Sequence, residues 1–343
     1  MAEKKVPFKI TDVPKELTAE FRKYTDGPEI EFVRVGLEKY RFPAGFREEC
    51  VKVYNMELRP DDIFVVTFPK SGTTWTQELV WLIGNNFNYD SAAEKLLKER
   101  FPFLEYAMMT RNPKIEEWTR ARMQVSPGIA EGILKKLTTS VVDVLNTTPS
   151  PRFIKTHLPF SLLPPHLLDT SKVVYVARDP RDVAVSYFHH CKLFKLVNFH
   201  GEFRIFWKMF LKDEFDWCPY FPHVKEAWAK RHHPNMLFLF YEELNKDLPA
   251  AVRRVAKFMN KPATEEQVQR LCRHLHIDNF RKNKSVNAED LQDLGLANKT
   301  EHFIRKGKSG GWRDYFDEEM TRQAERWIED NLRDTDLRFP TKD

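Results

Sequence analysis

The chain has 343 residues, of which 42% are hydrophobic and 13% aromatic, so it has enough apolar material for a sizeable core. This composition excludes a mainly disordered chain and favours one large domain with additions. Subtracting 50 acidic from 55 basic residues leaves a net charge of +5, which is too small to indicate nucleic-acid binding and suits an anionic small ligand.

The four cysteines lie far apart without a CxxC pair, so the sequence predicts neither a disulfide framework nor a zinc ribbon. The histidines also lack the spacing of a zinc site, and we expect no metal. No stretch approaches the roughly 18 apolar residues of a membrane span, and no apolar segment follows the first lysines. We therefore expect a cytoplasmic protein that contacts neither membrane nor nucleic acid.

The first 45 residues are polar and rich in Lys, Glu and Pro, and we expect them to pack as an extension on the core. The main domain is predicted over 46–336, with a short tail at 337–343. Its first clear element is the apolar run 63–66, typical of a strand covered on both faces. A polar loop containing glycine then leads into a helical pattern that starts near Trp75. A strand, a loop and a helix in this order form the first half of a βαβ unit.

Three further apolar runs, at 153–154, 173–177 and 236–240, are each followed by polar residues and a helical pattern. This alternation predicts an α/β fold, a single domain with a central parallel sheet flanked by helices. Ligands of such sheets bind at the carboxyl ends of the strands. Residues 85–150 are mixed and locally helical, and we interpret them as a cover or lid over the site. Helices are predicted over 180–193, 202–212, 220–231, 249–259 and 317–332.

The loop Lys70–Thr74 carries the strongest chemical signal. Its backbone N–H groups and hydroxyls converge on the positive end of a helix, an arrangement that favours a phosphate. The lysine precedes the glycine, unlike the Walker pattern GxxxxGK[ST], so the loop indicates a nucleotide without a triphosphate to grip. For this loop taken alone, an ordinary capped helix start is the alternative.

Two other strand ends carry charged residues. Lys155 and His157 follow the strand at 153–154, where a histidine suits general-base catalysis because its ordinary pKa is about 6.5. A hydrogen-bonded structural histidine is the alternative. Arg178 follows the next strand, with Ser186 further along the helix, and a helix-capping ion-pair cluster is the alternative there. The segment 281–313 holds eight Lys or Arg against four Asp or Glu, enough to clamp an anion or to form a solvated basic face.

In combination these motifs resemble the cytosolic sulfotransferases, which transfer a sulfonate group from 3′-phosphoadenosine 5′-phosphosulfate to a hydroxyl or amine. The resemblance covers roughly residues 45–336. By this resemblance, His157 is the general base, while Lys70 and Lys155 stabilise the charge that develops. The strand, loop and helix around Lys70 would form a P-loop-like phosphosulfate site. The implied ligands are Lys70, Ser71, Gly72, Thr73 and Thr74 for the phosphosulfate, Arg178, Ser186, Arg305, Lys306 and Gly307 for the 3′-phosphate, and Trp75, Tyr241 and Phe280 around the adenine.

Two departures from the family pattern affect what the resemblance implies. Leu275-His276 stands where relatives often have a Thr-Ser pair facing the nucleotide, which puts those hydrogen bonds in doubt. The family's short dimer motif would fall on Arg313, Asp317-Glu318 and Arg322 and lacks its usual form. We therefore expect a monomer or an atypical homodimer.

The stretch between Trp75 and Lys155 is longer than in most relatives and resembles the insect retinol dehydratases, members of the same family that carry a lid there. Those relatives have changed the loop lysine and tryptophan, whereas this chain keeps Lys70 and Trp75. We therefore favour ordinary sulfonation of a small phenol or lipophilic alcohol. Sulfonation-coupled dehydration and a catalytically silent nucleotide-binding protein are the alternatives, and the missing Walker loop argues against a kinase.

Overall fold

The computed structural model describes residues 5–340, and its first elements form a small antiparallel sheet. β1 (Ile10–Asp12), β2 (Phe32–Val35) and β3 (Tyr40–Pro43) pair in chain order, with α1 (Lys15–Arg22) between β1 and β2. Most of β2 and all of β3 are buried against the main core. The sequence predicted an extension here but no strands. Residues 1–4 of that extension and 341–343 of the predicted tail lie outside the described residues.

A four-stranded parallel sheet lies at the centre of the molecule. After α2 (Phe46–Tyr54), the strands β4 (Ile63–Thr67), β5 (Phe153–Thr156), β6 (Lys172–Ala177) and β7 (Met236–Phe240) occupy the order β5-β4-β6-β7. All four coincide with the predicted apolar runs, and the α/β fold is confirmed. Along β4, Phe64 and Val66 pack into one core cluster and Val65 into the other, because successive side chains point to opposite faces. A strand buried on both faces has no polar alternation, which explains the continuous apolar run.

The strand register brings the chemically important loops to one edge of the sheet. Val66 pairs with Thr156 on one side and with Tyr175 on the other, and Ala177 pairs with Phe240. The four carboxyl ends are therefore level, and the loops that follow them meet.

Helices flank the sheet on both faces. The predicted helix 180–193 has the observed bounds, and the other four predicted helices agree to within two residues at each end. Short 3₁₀ helices occur at Phe160–Leu162 and Gly311–Asp314. In chain order after α2, the α-helices are α3 (Thr73–Gly84), α4 (Tyr89–Glu94), α5 (Leu97–Arg100), α6 (Ala107–Thr110), α7 (Pro113–Arg122), α8 (Pro127–Thr138), α9 (Val141–Thr147), α10 (Leu167–Thr170), α11 (Pro180–Leu193), α12 (Phe203–Leu211), α13 (Tyr220–Ala229), α14 (Tyr241–Lys246), α15 (Leu248–Phe258), α16 (Glu265–Leu275), α17 (Ile277–Lys282), α18 (Glu289–Asp293) and α19 (Glu318–Leu332).

Six of these helices, α4 to α9, lie within 85–150, in agreement with the predicted helical character of that segment. The backbone of the segment pairs with the parallel sheet beside Lys155. Lys155 N donates to Pro102 O at 2.9 Å, and Leu104 N donates to Lys155 O at 2.8 Å, so the backbone pairs with the end of β5. This contact places Glu105 beside the turn that follows β5. That the segment opens as a lid stays a prediction.

Candidate active site

A cavity of about 670 Å³ opens at the carboxyl edge of the parallel sheet. The loops that follow β4, β5, β6 and β7 line it, together with the segment that precedes α19. Ser71 lies just beneath its wall and is fully buried. All other residues predicted for the site line this one cavity, namely Lys70, Gly72, Thr73, Thr74, Trp75, Lys155, His157, Arg178, Ser186, Tyr241, Phe280, Arg305, Lys306 and Gly307.

The loop between β4 and α3 is shaped to receive an anion. Lys70 and Gly72 both have left-handed backbone, with φ of 68° and 100°. A Cβ on Gly72 would lie 2.6 Å from the ring of Tyr241, so only glycine fits there. No side chain caps the N-terminus of α3, and the buried Ser71 hydroxyl has no hydrogen-bond partner among residues 5–340. An uncapped helix N-terminus and a free hydroxyl suit a phosphate.

Two partly buried lysines face the same part of the cavity. Lys70 Nζ lies 3.4 Å from His190 Nδ1 and 4.5 Å from the centre of the Phe303 ring. Burial, followed by repulsion from nearby cations such as Lys155 and Arg305, lowers the pKa of Lys70 to about 7. Burial also lowers the pKa of Lys155 to about 8. Burial thus disfavours the charged form of both lysines, and a bound anion would favour it.

His157 is held in the tautomer that a general base needs. Its Nδ1 lies 2.8 Å from the Thr67 carbonyl oxygen, which can only accept a hydrogen bond, so Nδ1 carries the proton. Nε2 is then the nitrogen able to accept a proton. Burial, and next the charge of Lys155, hold the pKa of His157 well below its ordinary value. The imidazole is consequently neutral at pH 7 and available as a base.

Glu105 supports this histidine and was missed in the sequence analysis. Its carboxylate accepts hydrogen bonds from His157 N at 2.6 Å, Thr156 Oγ1 at 2.8 Å and Trp217 Nε1 at 3.2 Å. Burial raises the pKa of Glu105 to about 7. The residue belongs to the cover segment, far from His157 in sequence. The sequence does contain one indication of its role, because Glu105 is a lone carboxylate directly after the apolar run Phe101–Leu104, and a buried carboxylate needs partners.

Arg178 joins the phosphate loop to the C-terminal part of the site. It donates to Lys70 O at 3.2 Å and to Lys308 O at 3.3 Å, and its guanidinium lies 4.2 Å from the centre of the Tyr241 ring. Its buried Nε has no hydrogen-bond partner in the described part of the chain. The capping alternative also holds here, because Asp179 accepts from Arg181 N at 2.9 Å and caps α11. The turn therefore caps a helix and also presents a cation.

The predicted 3′-phosphate residues Arg305–Gly307 lie in a loop that docks onto α11. Asp182 accepts hydrogen bonds from Gly310 N at 2.7 Å and from Trp312 N at 2.9 Å, which ties the loop beside Arg178. A Cβ on Gly307 would lie 2.5 Å from the Ile277 side chain. Ser186 reaches the same region from α11. The loop thus brings its cations to the site with almost no regular secondary structure.

The predicted adenine site is an aromatic slot. The Trp75 and Tyr241 rings lie 5.7 Å apart with planes at 58°, and Phe280 is buried nearby in the same core cluster. Trp75 Nε1 donates to Leu275 O at 3.0 Å, so the first residue of the doubtful Leu275-His276 pair contributes its backbone, while His276 lines the cavity. Flat apolar faces of this kind suit a purine.

The rest of the cavity is apolar, and its lining was not predicted residue by residue. It comes from three distant parts of the chain. The N-terminal segment supplies Phe21, Ile30 and Pro43, the cover supplies Phe103, Tyr106, Met109, Trp118 and Leu137, and the segments beside α12 supply Phe194, Val197, Phe215 and Trp217.

Within residues 5–340, no group of three or more His, Cys, Asp or Glu side chains could hold a metal ion. None of the described helices is long and apolar enough to cross a bilayer.

Comparisons with known proteins agree with this geometry. A family model for the sulfotransferase domain matches residues 60–336. The luciferin sulfotransferase of Photinus pyralis is 33% identical over 309 residues, which cover 88% of this chain and 80% of that protein. Sulfotransferase 1E1 of Bos taurus is 30% identical over 298 residues, covering 87% and 92%. A crystal structure of retinol dehydratase in complex with retinol and PAP is 46% identical, with a TM-score of 0.91 over 97% of this chain and 99% of that one.

Proposed function

This chain belongs to the sulfotransferase family, and from that premise we propose how its cavity transfers sulfonate. The donor is 3′-phosphoadenosine 5′-phosphosulfate, and the acceptor is the hydroxyl of a small phenol or lipophilic alcohol. The proposal rests on one observation. Lys70, Lys155 and the neutral His157 lie together in one cavity, at the boundary between its polar and its apolar part.

The polar part fits the nucleotide. Ser71 Oγ and Arg178 Nε have no hydrogen-bond partner within residues 5–340, and they provide donors for two anionic groups. The close contacts at Gly72 and Gly307 show that the backbone leaves room there. The 5′-phosphosulfate would contact Lys70–Thr74, and the 3′-phosphate would contact Arg178, Ser186 and Arg305–Gly307. The adenine would lie between Trp75, Tyr241 and Phe280.

The chemistry follows from the orientation of His157. Its Nε2 accepts the proton of the acceptor hydroxyl, while the hydrogen bond from Nδ1 to Thr67 O holds the ring in place. The acceptor oxygen then forms a bond to sulfur as the bond from sulfur to the phosphate oxygen breaks. The products are a sulfate ester and adenosine 3′,5′-bisphosphate. Lys70 and Lys155 stabilise the charge that develops on the oxygens during this step.

The apolar part suits the hydrophobic body of an acceptor. Aromatic side chains from the cover and from the α12 region surround it, with Trp118 and Phe215 as examples. Such a lining favours flat, extended molecules with few polar groups.

A second candidate activity is sulfonation followed by dehydration. The observation that favours it is the 45–46% identity to retinol dehydratase structures at TM-scores of 0.91–0.92. It would require an alcohol whose sulfate ester eliminates readily, such as retinol. The catalytically silent alternative is disfavoured because Lys70, Lys155 and His157 are all present in one cavity.

The test is transfer of labelled sulfonate from 3′-phosphoadenosine 5′-phosphosulfate to a panel of phenols, steroids and retinol, with product analysis by mass spectrometry. We expect sulfate esters with at least one class of acceptor. An alkene with free sulfate would establish dehydration instead, and tight nucleotide binding without any transfer would favour the silent alternative. Adenosine 5′-phosphosulfate is the matched control donor, because it lacks only the 3′-phosphate.

Two further expectations from the sequence stay proposals. We propose a cytoplasmic location, and a monomer or an atypical homodimer because the residues at 313–322 lack the family's usual dimer motif. Sedimentation that shows a tight dimer centred on 313–322 would contradict the second proposal.

A further inference from the structure

Asp216 is a carboxylate in the apolar part of the cavity, and the proposed reaction does not use it. Its neighbours Phe215 and Trp217 are buried, whereas Asp216 itself is half-buried and lines the cavity. Its carboxylate accepts no hydrogen bond and forms no ion pair within residues 5–340. A carboxylate in apolar surroundings is costly unless a donor pairs with it, so a ligand that brings a donor would be favoured here.

The backbone around Asp216 is held on several sides. The Tyr187 hydroxyl donates to Asp216 O at 3.1 Å. Trp217 N donates to Arg41 O, and Arg41 N donates to Cys218 O, each at 2.8 Å. Trp217 has left-handed backbone with φ of 65°, which is uncommon for a bulky residue and persists only where the surroundings fix it. The turn therefore presents Asp216 to the cavity in a defined position.

Arg41 is the cation beside Asp216, but the two side chains form no ion pair. The Arg41 guanidinium lies 3.9 Å from the centre of the Phe32 ring, and its Nη1 donates to the backbone oxygen of Glu214. Burial raises the pKa of Asp216 to about 6, and the charge of Arg41 opposes this rise. The carboxylate is therefore largely ionised at pH 7, without a partner in the described part of the chain.

The residue after Asp216 reaches the proposed reaction centre. The centres of the Trp217 and His157 rings lie 5.6 Å apart, and Trp217 Nε1 donates to Glu105. The Phe103 ring lies 5.1 Å from that of His157 and 6.2 Å from that of Trp217. An acceptor whose hydroxyl meets His157 would therefore contact the neighbour of Asp216, which brings a second polar group of the acceptor toward the carboxylate.

We propose that Asp216 determines acceptor specificity by binding a second donor group of the acceptor, a hydroxyl or a protonated amine. This inference rests on the proposed function, which assigns the apolar part of the cavity to the acceptor. Hydrogen bonds to an ionised carboxylate are about twice as strong as those between neutral groups. A molecule without the second donor leaves the carboxylate unpaired and should bind more weakly. The acceptor class is thus narrowed to phenols and alcohols that carry a second donor.

The experiment measures acceptor binding by calorimetry to the protein loaded with adenosine 3′,5′-bisphosphate. The acceptors are phenols whose para chain ends in a methyl, a hydroxyl or an ammonium group, with chains of several lengths. At each length the three molecules have the same number of heavy atoms and differ only in the end group. At one length or more, we expect the hydroxyl or the ammonium compound to bind at least about ten-fold more tightly than the methyl compound.

Variants assign this preference to the carboxylate. Asp216→Leu should abolish it and leave the affinity of the methyl compounds within about three-fold of the wild-type value. Asp216→Asn keeps an oxygen acceptor and loses the charge, so it should weaken binding of an ammonium compound by at least about ten-fold and of a hydroxyl compound by less than about three-fold. Asp213→Asn is the control, because Asp213 lies on the same turn but outside the cavity lining, and it should leave the preference unchanged.

Unchanged affinity for adenosine 3′,5′-bisphosphate shows that a variant is folded, and Asp216→Ala takes the place of Asp216→Leu if the larger side chain disturbs the fold. No preference for a hydroxyl or an ammonium group at any chain length would overturn the proposal. A preference that Asp216→Leu and Asp216→Ala both retain would overturn it as well.

Transfer of labelled sulfonate to the same phenols tests the proposed function separately. A protein that shows the binding preference but transfers no sulfonate would contradict the proposed function and leave Asp216 as a determinant of binding. A protein that transfers sulfonate without any such preference would contradict only the role of Asp216.

Discussion

The two parts of the cavity differ in how the fold builds them. The nucleotide part is lined by loops that follow adjacent parallel strands, and its charged groups are held by backbone and side-chain hydrogen bonds, as at Arg178. The acceptor part is apolar and is assembled from the N-terminal segment, the cover and the α12 region. Under the proposed function, the reaction chemistry lies at the central sheet of the fold, whereas acceptor choice depends on the packing of distant segments.

Among the variants that test this difference between the two parts of the cavity, replacement of Lys70 should change turnover the most. We expect Lys70→Met to lower turnover by about 10² to 10³-fold, because the proposed role of Lys70 is to stabilise charge on the transferring group. Affinity for adenosine 3′,5′-bisphosphate should fall far less, since Arg178 and the helix N-terminus remain. Steady-state kinetics and calorimetry on one preparation measure both. Equal losses in turnover and affinity would make Lys70 a binding residue only.

The pH dependence of nucleotide binding sharpens the electrostatic side of the comparison. The pKa of Lys70 is lowered to about 7, so the free enzyme loses this charge as the pH rises through that value. A bound anion favours the charged lysine, so binding should take up protons and weaken by up to about ten-fold per pH unit above pH 7. Calorimetry in buffers of different ionisation enthalpy measures the uptake. Lys70→Arg should flatten the profile, and a wild-type profile already flat from pH 6.5 to 8.5 would contradict the charge assignment.

Glu105 joins the two parts, because it lies on the cover and holds the turn that carries His157. Glu105→Gln leaves one of three donors without an acceptor, since the amide NH₂ cannot accept. We expect turnover to fall about five- to ten-fold and the free energy of unfolding to fall by about 1–3 kcal/mol. Denaturant titration and kinetics check this. The exposed Glu117, changed in the same way, is the control, and an unchanged Glu105→Gln enzyme would show that the carboxylate positions nothing.

A change confined to the acceptor part should have the smallest effect and should spare the nucleotide. Trp118 lines the cavity from α7, with the Arg122 guanidinium 4.2 Å from the centre of its ring. We expect Trp118→Ala to raise the KM of a lipophilic acceptor about three- to ten-fold through lost apolar contact. Affinity for adenosine 3′,5′-bisphosphate should not change. Leu37→Ala, at a residue 97% exposed, is the matched surface control. A shift in nucleotide affinity at Trp118 would show that the two parts are coupled.

The same division explains how much of the molecule could be predicted from its sequence. The strands of the parallel sheet were found because burial on both faces leaves continuous apolar runs. The start of α11 was predicted correctly because Asp179 and Pro180 are local start signals. The phosphate loop is similarly local, since Lys70–Thr74 are neighbours in sequence and in space.

What could not be predicted depends on long-range packing. The strands of the N-terminal sheet are three or four residues long, which is too short for a clear alternation, and they form by pairing with one another. Glu105 meets His157 only because the cover pairs with the end of β5. The acceptor lining has the same origin, since no local pattern relates Phe21 to Trp118.

We propose that His157 Nε2 accepts the proton of the acceptor hydroxyl at the boundary between the two parts of the cavity. Single-turnover transfer of labelled sulfonate by His157→Ala, with nucleotide and acceptor saturating, tests it most directly, with His166→Ala at an exposed histidine as the control. We expect transfer to fall by at least about 10²-fold in His157→Ala, with affinity for adenosine 3′,5′-bisphosphate unchanged, and to be normal in the control. Transfer by His157→Ala within a few-fold of the wild-type rate would contradict the claim.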